Sequence, residues 1–209
     1  MNEVNIIFVS NNKEKINELS ALLSDFPLPV RPYTDIITTP LSINETGSSF
    51  KENALIKVSA VAPLLDTRNI AVIADDSGLE IPALQNAPGV YSARFGGTKL
   101  TDQERCQLII DKLNGHADRS ARLVSYIAIQ LPNHTQHFTK GILNGVISPK
   151  INGNNGFGYD PIFIPDGFNL SLGQLGPNIK NKISHRYQSI LAASKIILAF
   201  SSQLTSKSK

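Results

Sequence analysis

The feature that most constrains the fold is an abrupt change of period near the start of the chain. Val4 to Val9 is a short, nearly continuous apolar run, the pattern of a buried strand, and Ile16, Leu19, Leu22 and Leu23 follow at helical spacing. Only Ser10-Asn11-Asn12-Lys13-Glu14-Lys15 separates them, which predicts a strand, a tight loop and a helix in immediate succession. The alternation continues. Ile70 to Ile73 reads as a second buried strand, and Phe50, Ala54, Leu55, Val58, Val61, Ala62 and Leu65 share one face of a helix from about Phe50 to Leu65. Thr101 to Leu113 reads as a third helix, and a last one runs from about Gln188 to Phe200. Leu123–Leu131 and a strand from about His137 to Leu143 flank the turn residues Pro132-Asn133-His134-Thr135, as in a hairpin. Helices interleaved with strands predict an α/β protein, and the 41% apolar and 18% charged shares of the 209 residues fit one. With no dividing linker, residues 1–200 are expected to form one domain, and the polar stretch 201–209 to fray as a tail.

Charge and composition narrow the partners. A net charge of +3 is mild, and the 20 Lys and Arg residues are spread along the chain without a dense run, so no nucleic acid partner is expected. Small phosphorylated ligands remain open. Cys106 is the single cysteine, which excludes an intrachain disulfide and suits a cytoplasmic setting. No basic start with a small-residue cleavage site opens the chain, and no apolar stretch reaches the ~18 residues that cross a bilayer, so no membrane partner is expected.

The polar residues that could carry chemistry sit at the ends of these elements. Ala74-Asp75-Asp76-Ser77-Gly78-Leu79 follows the strand of Ile70 to Ile73, so two carboxylates fall where that strand should end. Neighbours along a strand point to opposite faces; one carboxylate is expected to face a cleft and the other to brace a turn at Ser77-Gly78. Such oxygen donors suit Mg²⁺ completed by phosphates, and they equally suit an Asx turn. Ser10 to Lys15 places hydroxyl, amide and ammonium groups at a helix start, where free N–H groups and the dipole attract phosphate, or where Ser10, Asn11 or Asn12 simply caps. Ser49 with Glu52 predicts one capping box and Thr101 with Glu104 another. Asn53 and Lys57 lie four apart on one side of their helix, next to the turn Glu45-Thr46-Gly47. Gly156-Phe157-Gly158-Tyr159-Asp160-Pro161 puts aromatics on a glycine-softened loop, able to stack on a flat ligand or to lid the core. Ser184 is a natural N-cap, and Arg186 in that first turn opposes the helix dipole, which hints that its charge has another use. His134 and His137 lack companion ligands in sequence and are assigned no role.

Taken in order, Ser10-x-Asn12-x-x-Lys15, Glu45-Thr46-Gly47 with Phe50 and Glu52-Asn53-Ala54-x-x-Lys57, Ala74 to Leu79, Pro88-Gly89-Val90-Tyr91-Ser92-Ala93-Arg94-Phe95, Gly156 to Pro161, and Lys180 with Ser184-His185-Arg186 make the chain resemble the inosine triphosphate pyrophosphatase family. The resemblance covers most of the chain. It implies an elongated mixed central sheet flanked by helices, two-lobed with a nucleotide cleft between the lobes. It also implies a Mg²⁺-dependent homodimer that splits deaminated purine nucleoside triphosphates, ITP, dITP and XTP, into monophosphate and pyrophosphate. By match to the motifs, Asp76 would be the catalytic base, Glu45 and Asp76 the metal carboxylates, and Asp75 a supporting one. Ser10, Asn12, Lys15 and Lys57 would hold the triphosphate, with Asn11, Lys13, Glu14 and Ser77 also contacting the substrate. Phe157, Gly158, Tyr159, Asp160, Lys180, His185 and Arg186 would meet the base. Asn11 and Glu14 stand where the family often has glycine, as does Tyr187, and Asn178-Ile179 precede Lys180 where acids are frequent. Two other readings compete: a nucleotide-binding sensor without turnover, and a Maf-like pyrophosphatase for pyrimidine or modified nucleotides.

Overall fold

A computed structural model describes residues 4–24, 26–39 and 41–207. In chain order its elements are β1 (Asn5–Val9), α1 (Lys13–Leu22), β2 (Val30–Pro32), α2 (Phe50–Val61), β3 (Ile70–Ile81), β4 (Ala87–Pro88), α3 (Asp102–Lys112), β5 (Ser120–Gln130), β6 (Gln136–Ile147), β7 (Phe163–Pro165), α4 (Pro177–Ile183) and α5 (His185–Lys207), with short 3-10 turns between several of them. Among the described residues the seven strands form one mixed sheet in the order β2, β1, β3, β5, β6, β7, with β4 paired to β3. β1 runs parallel to β2 and β3, whereas β4 and β7 lie antiparallel to β3 and β6. This is the expected α/β class with a central sheet flanked by helices.

The chain divides into two compact units. The first comprises the chain up to Asp76, Tyr126–Lys140 and the chain from Gln188; the second comprises Ser77–Ser125 and Gly141–Tyr187. In the first unit, strand alternation separates two cores. Ile6, Phe8, Ala71, Ile73, Ile127 and Ile129 meet Leu19 of α1 and Ile190, Ala193 and Ile197 of α5, while Ile7, Val9, Val72, Ala74 and Ala128 meet Ala54, Val58 and Val61 of α2. The second unit has its own core, where Leu79, Ile81, Leu123, Ile147 and Phe163 close over Cys106, Ile109 and Leu113.

Several boundaries depart from the sequence expectation. The strand expected to end at Ile73 runs on to Ile81, so Asp75 and Asp76 are interior to β3 and Ser77-Gly78 makes no turn. Gly78 serves close approach instead: a Cβ there would stand 2.2 Å from the Ser92 hydroxyl, which accepts from Leu79 N–H at 2.9 Å. α2 stops at Val61, because Pro63 lacks the N–H a continuing helix needs, and the last residues tighten into a 3-10 turn. The frayed tail expected from 201 is helical as far as Lys207, with Leu204 packed on the α1/α5 core and the Ser202 hydroxyl donating to the Leu198 carbonyl; Ser208 and Lys209 lie outside the described residues. The Ser49–Glu52 capping box is shifted: Ser49 accepts from Glu52 N–H, but the Glu52 carboxylate takes the N–H and hydroxyl of Ser48. The Thr101–Glu104 box forms in full. Among the described residues no helix is long and apolar enough to cross a membrane.

Candidate active site

Each unit gathers one group of polar side chains. In the first, parallel pairing of β1 with β3 ends at Val9 beside Ala74, so the Ser10–Lys15 loop starts at the carboxyl end of β1, next to Asp75 where β3 runs on. That end is where open α/β sheets receive ligands. Asn12 caps α1 by accepting from Lys15 N–H at 2.9 Å, and the Ser10 hydroxyl accepts from Asn12 N–H at 3.1 Å. Asn11 fastens the loop: its amide donates to the Leu41 carbonyl at 2.9 Å and accepts from the buried Tyr33 hydroxyl. Lys13 and Glu14 are exposed, with Glu14 an acid at the positive end of α1. Lys15 turns back to Asp75 at 2.7 Å, and Asp75 is nearly inaccessible there.

Asp76 points the other way, to α2, as strand alternation requires. The Lys57 ammonium lies 2.9 Å from Glu45 Oε2 and 3.2 Å from Asp76 Oδ1, and donates to the Asp75 carbonyl at 3.1 Å. Burial pulls the Lys57 ammonium toward neutrality, but Asp76, Glu45 and Asp75 outweigh it and hold its pKa above the usual lysine value. Asp76 shifts upward as well. Burial raises its carboxyl, Lys57 and Lys15 lower it, and Glu45 and Asp75 raise it again, leaving it above the ordinary 3.8.

Asn53 was not among the residues assigned to the site from sequence, yet it joins the two carboxylate segments. Fully buried, it accepts from Gly47 N–H at 2.8 Å and donates to Asp76 Oδ2 at 3.1 Å, tying the Glu45-Thr46-Gly47 turn to β3. The signal was available, since an amide on the same stripe as Phe50 and Ala54 is unfavourable unless both its polar ends are satisfied.

In the second unit, Asp160 organises the aromatic loop. Its Oδ2 accepts from Lys180 Nζ at 2.6 Å and from Phe157 N–H at 2.9 Å. Gly156, at φ +76°, leaves room for it, because a Cβ there would fall 2.0 Å from that oxygen. Phe157 stays half-buried, with Lys180 Nζ 4.8 Å and Arg186 Cζ 5.3 Å from its ring centre. Arg186 also donates to the Ser77 hydroxyl at 3.0 Å. His185 is buried beside it in sequence, after Ser184, which caps α5 by accepting from Tyr187 N–H at 3.0 Å. Lys180 rides on α4, a seven-residue helix without apolar periodicity that the sequence reading leaves out. Tyr159 belongs to the core, its ring packed among Cys106 and Ile162 and its hydroxyl donating to the Ser92 carbonyl at 2.8 Å.

The first group can hold a cation and oxyanions, and the second can clasp a flat ring among hydrogen-bond donors. A model of the Ham1 family matches residues 6–196. The dITP/XTP pyrophosphatase of Oceanobacillus iheyensis is 38% identical over 187 residues, 88% of this chain and 93% of that protein. That of Nautilia profundicola is 38% identical over 193 residues, 92% and 96% of the two chains. Among solved structures, the Staphylococcus aureus Ham1 protein superposes with a TM-score of 0.82 at 36% identity, covering 93% of this chain and 99% of that one. A Coxiella burnetii HAM1 protein gives 0.81 at 36% identity over 94% and 99%. With sequence matched over almost its whole length and the fold matched with it, the chain belongs to the Ham1 family.

Proposed function

We propose that the protein hydrolyses ITP, dITP and XTP between the α and β phosphates, releasing pyrophosphate and the monophosphate and so keeping deaminated purines out of nucleic acid. The observation that carries this reading is the convergence of Glu45, Asp76 and Lys57 within hydrogen-bonding distance in the first unit. Relatives bearing the name dITP/XTP pyrophosphatase support it.

The donor chemistry around Lys57 fits a divalent metal. Glu45 and Asp76 offer only oxygens, and an ammonium already stands between them as a cation. Among the described residues no three His, Cys, Asp or Glu side chains converge as an all-protein cage, which leaves coordination to be completed by phosphates, as Mg²⁺ prefers. Glu45 and Asp76 would hold Mg²⁺, with Asp75 behind them on Lys15. When bound, the ion would neutralise charge developing on the phosphate oxygens.

The chain's own residues do the rest. Lys15, Ser10, Asn12 and the free N–H groups opening α1 bind the triphosphate, and Lys57 exchanges its carboxylates for phosphate. Asp76 then takes the proton of the attacking water at Oδ1, the oxygen that Lys57 holds at rest, while Asn53 fixes Oδ2. In the second unit Phe157 stacks on the purine, and donors from Lys180, His185 and Arg186 face a 6-keto oxygen. Adenine presents an amino group there and would strand those donors, a mismatch that sites of this kind reject strongly. Asp160 orients Lys180 for that task. A homodimer in the cytoplasm without a nucleic acid partner is part of the same proposal.

Asp76→Asn tests the mechanism. The variant is expected to keep its fold and its affinity for XTP but to lose turnover by about a hundredfold or more, the usual scale for a displaced base. Turnover within a few-fold of the parent would remove Asp76 from that role.

A further inference from the structure

α3 reads from sequence as a purely structural helix, yet two of its side chains leave it to grip one residue of the aromatic loop. Asp102 Oδ2 accepts from Gly158 N–H at 2.7 Å, and Cys106 Sγ donates to the Gly158 carbonyl at 3.2 Å. Positions 102 and 106 are four apart, so both project from one side of the helix. We propose that Asp102, assisted by Cys106, is a positioning residue for base recognition: it sets the aim of the Phe157 ring from α3 and thereby the affinity for the purine. The proposal rests on the function argued above.

The bonds around Phe157 are of two kinds. Asp160, buried and paired with Lys180 of α4, holds Phe157 N–H at 2.9 Å and so gives the loop one anchor. The Gly158 bonds run to a separate element. α3 is itself immobilised, by its full capping box, by Arg105 donating to the carbonyls of Phe95, Gly97 and Leu100, and by burial of Cys106 and Ile109. Gly158 takes φ +62°, and an added Cβ there would meet nothing, so the glycine answers to backbone conformation, not to crowding. The Asp102 side chain is 56% exposed, so replacing it removes the tether without opening the core.

The chain has no tryptophan, so Phe157→Trp places a single tryptophan reporter on the loop. In that background Asp102→Ala is expected to increase acrylamide quenching and lower anisotropy, and Asp102→Asn, which keeps an acceptor oxygen, should match the parent. In the otherwise native chain, Asp102→Ala should raise KM for XTP about tenfold, the scale of one charged hydrogen bond, with kcat within about twofold, and Asp102→Asn should restore KM. An Asp102→Ala reporter as rigid as its parent, or a KM unmoved by the substitution, overturns the proposal. A loosened reporter in a chain that cleaves no XTP would support the hold on Phe157 and count against the enzymatic reading instead.

Discussion

Asp76 is asked to be ionised in a place that resists ionisation. Burial raises its carboxyl above 3.8, and the nearby ammonium groups of Lys57 and Lys15 do not bring it back. A carboxyl whose pKa is raised by folding contributes stability below its unfolded value, and that contribution is lost as pH climbs through the folded value. Asparagine cannot ionise, so Asp76→Asn escapes the loss. In metal-free buffer the difference in Tm between Asp76→Asn and the parent should therefore shift in the variant's favour between about pH 4 and neutrality. A difference that moves the other way would mean that Asp76 is stabilised as an anion. Cys106 illustrates the opposite use of burial. Its thiol is pushed up to about 12, first by burial and then by Asp102 and Asp160 against the relief of Arg105, and it is fully inaccessible. About one part in ten thousand would be thiolate at pH 8, so iodoacetamide should leave the native chain unlabelled and react only after unfolding in urea. Labelling of the folded protein would contradict the burial.

At the scale of elements, β3 is where sequence and structure part most clearly. Asp-Asp-Ser-Gly carries every local mark of a turn, and local marks were all the sequence offered. What holds those residues extended is distant: β1 pairs with Ile70 to Ala74, β4 with Glu80 and Ile81, and the Ser92 hydroxyl bonds Leu79 N–H. Gly78→Ala is thus expected to destabilise the protein by about 1–3 kcal/mol in urea denaturation, because its methyl would meet the Ser92 side chain and the Gly89 carbonyl. A neutral or stabilising effect would restore the turn reading. The elements with strong internal signals were legible. α1 begins at Asn12, one of the three candidate caps, α3 at the expected Thr101, and the hairpin turn falls between β5 and β6 at Pro132 to Thr135. α4 was not legible, since its seven residues are too few for a period to show, and neither was the three-residue β2. Site residues follow the same logic. Lys15 and Arg186 draw attention in sequence as charges in the first turn of a helix and Lys57 as the residue four after Asn53, whereas Asp102 looks like any first-turn acid until its partner across the chain is known.

For the whole molecule, each unit carries one half of the proposed chemistry. Carboxylates and cations for metal and phosphates belong to the first, and the stacking ring with its donors to the second; the chain passes from one unit to the other between Asp76 and Ser77. The most direct measurement is pyrophosphate release from dITP, XTP, GTP, ATP and dTTP side by side, with Mg²⁺ and with chelator. Release confined largely to dITP and XTP, and abolished by the chelator, is the predicted result. Release from dTTP at comparable rates would contradict the reading of the base site and favour a Maf-like enzyme, and dITP bound without release would contradict catalysis itself.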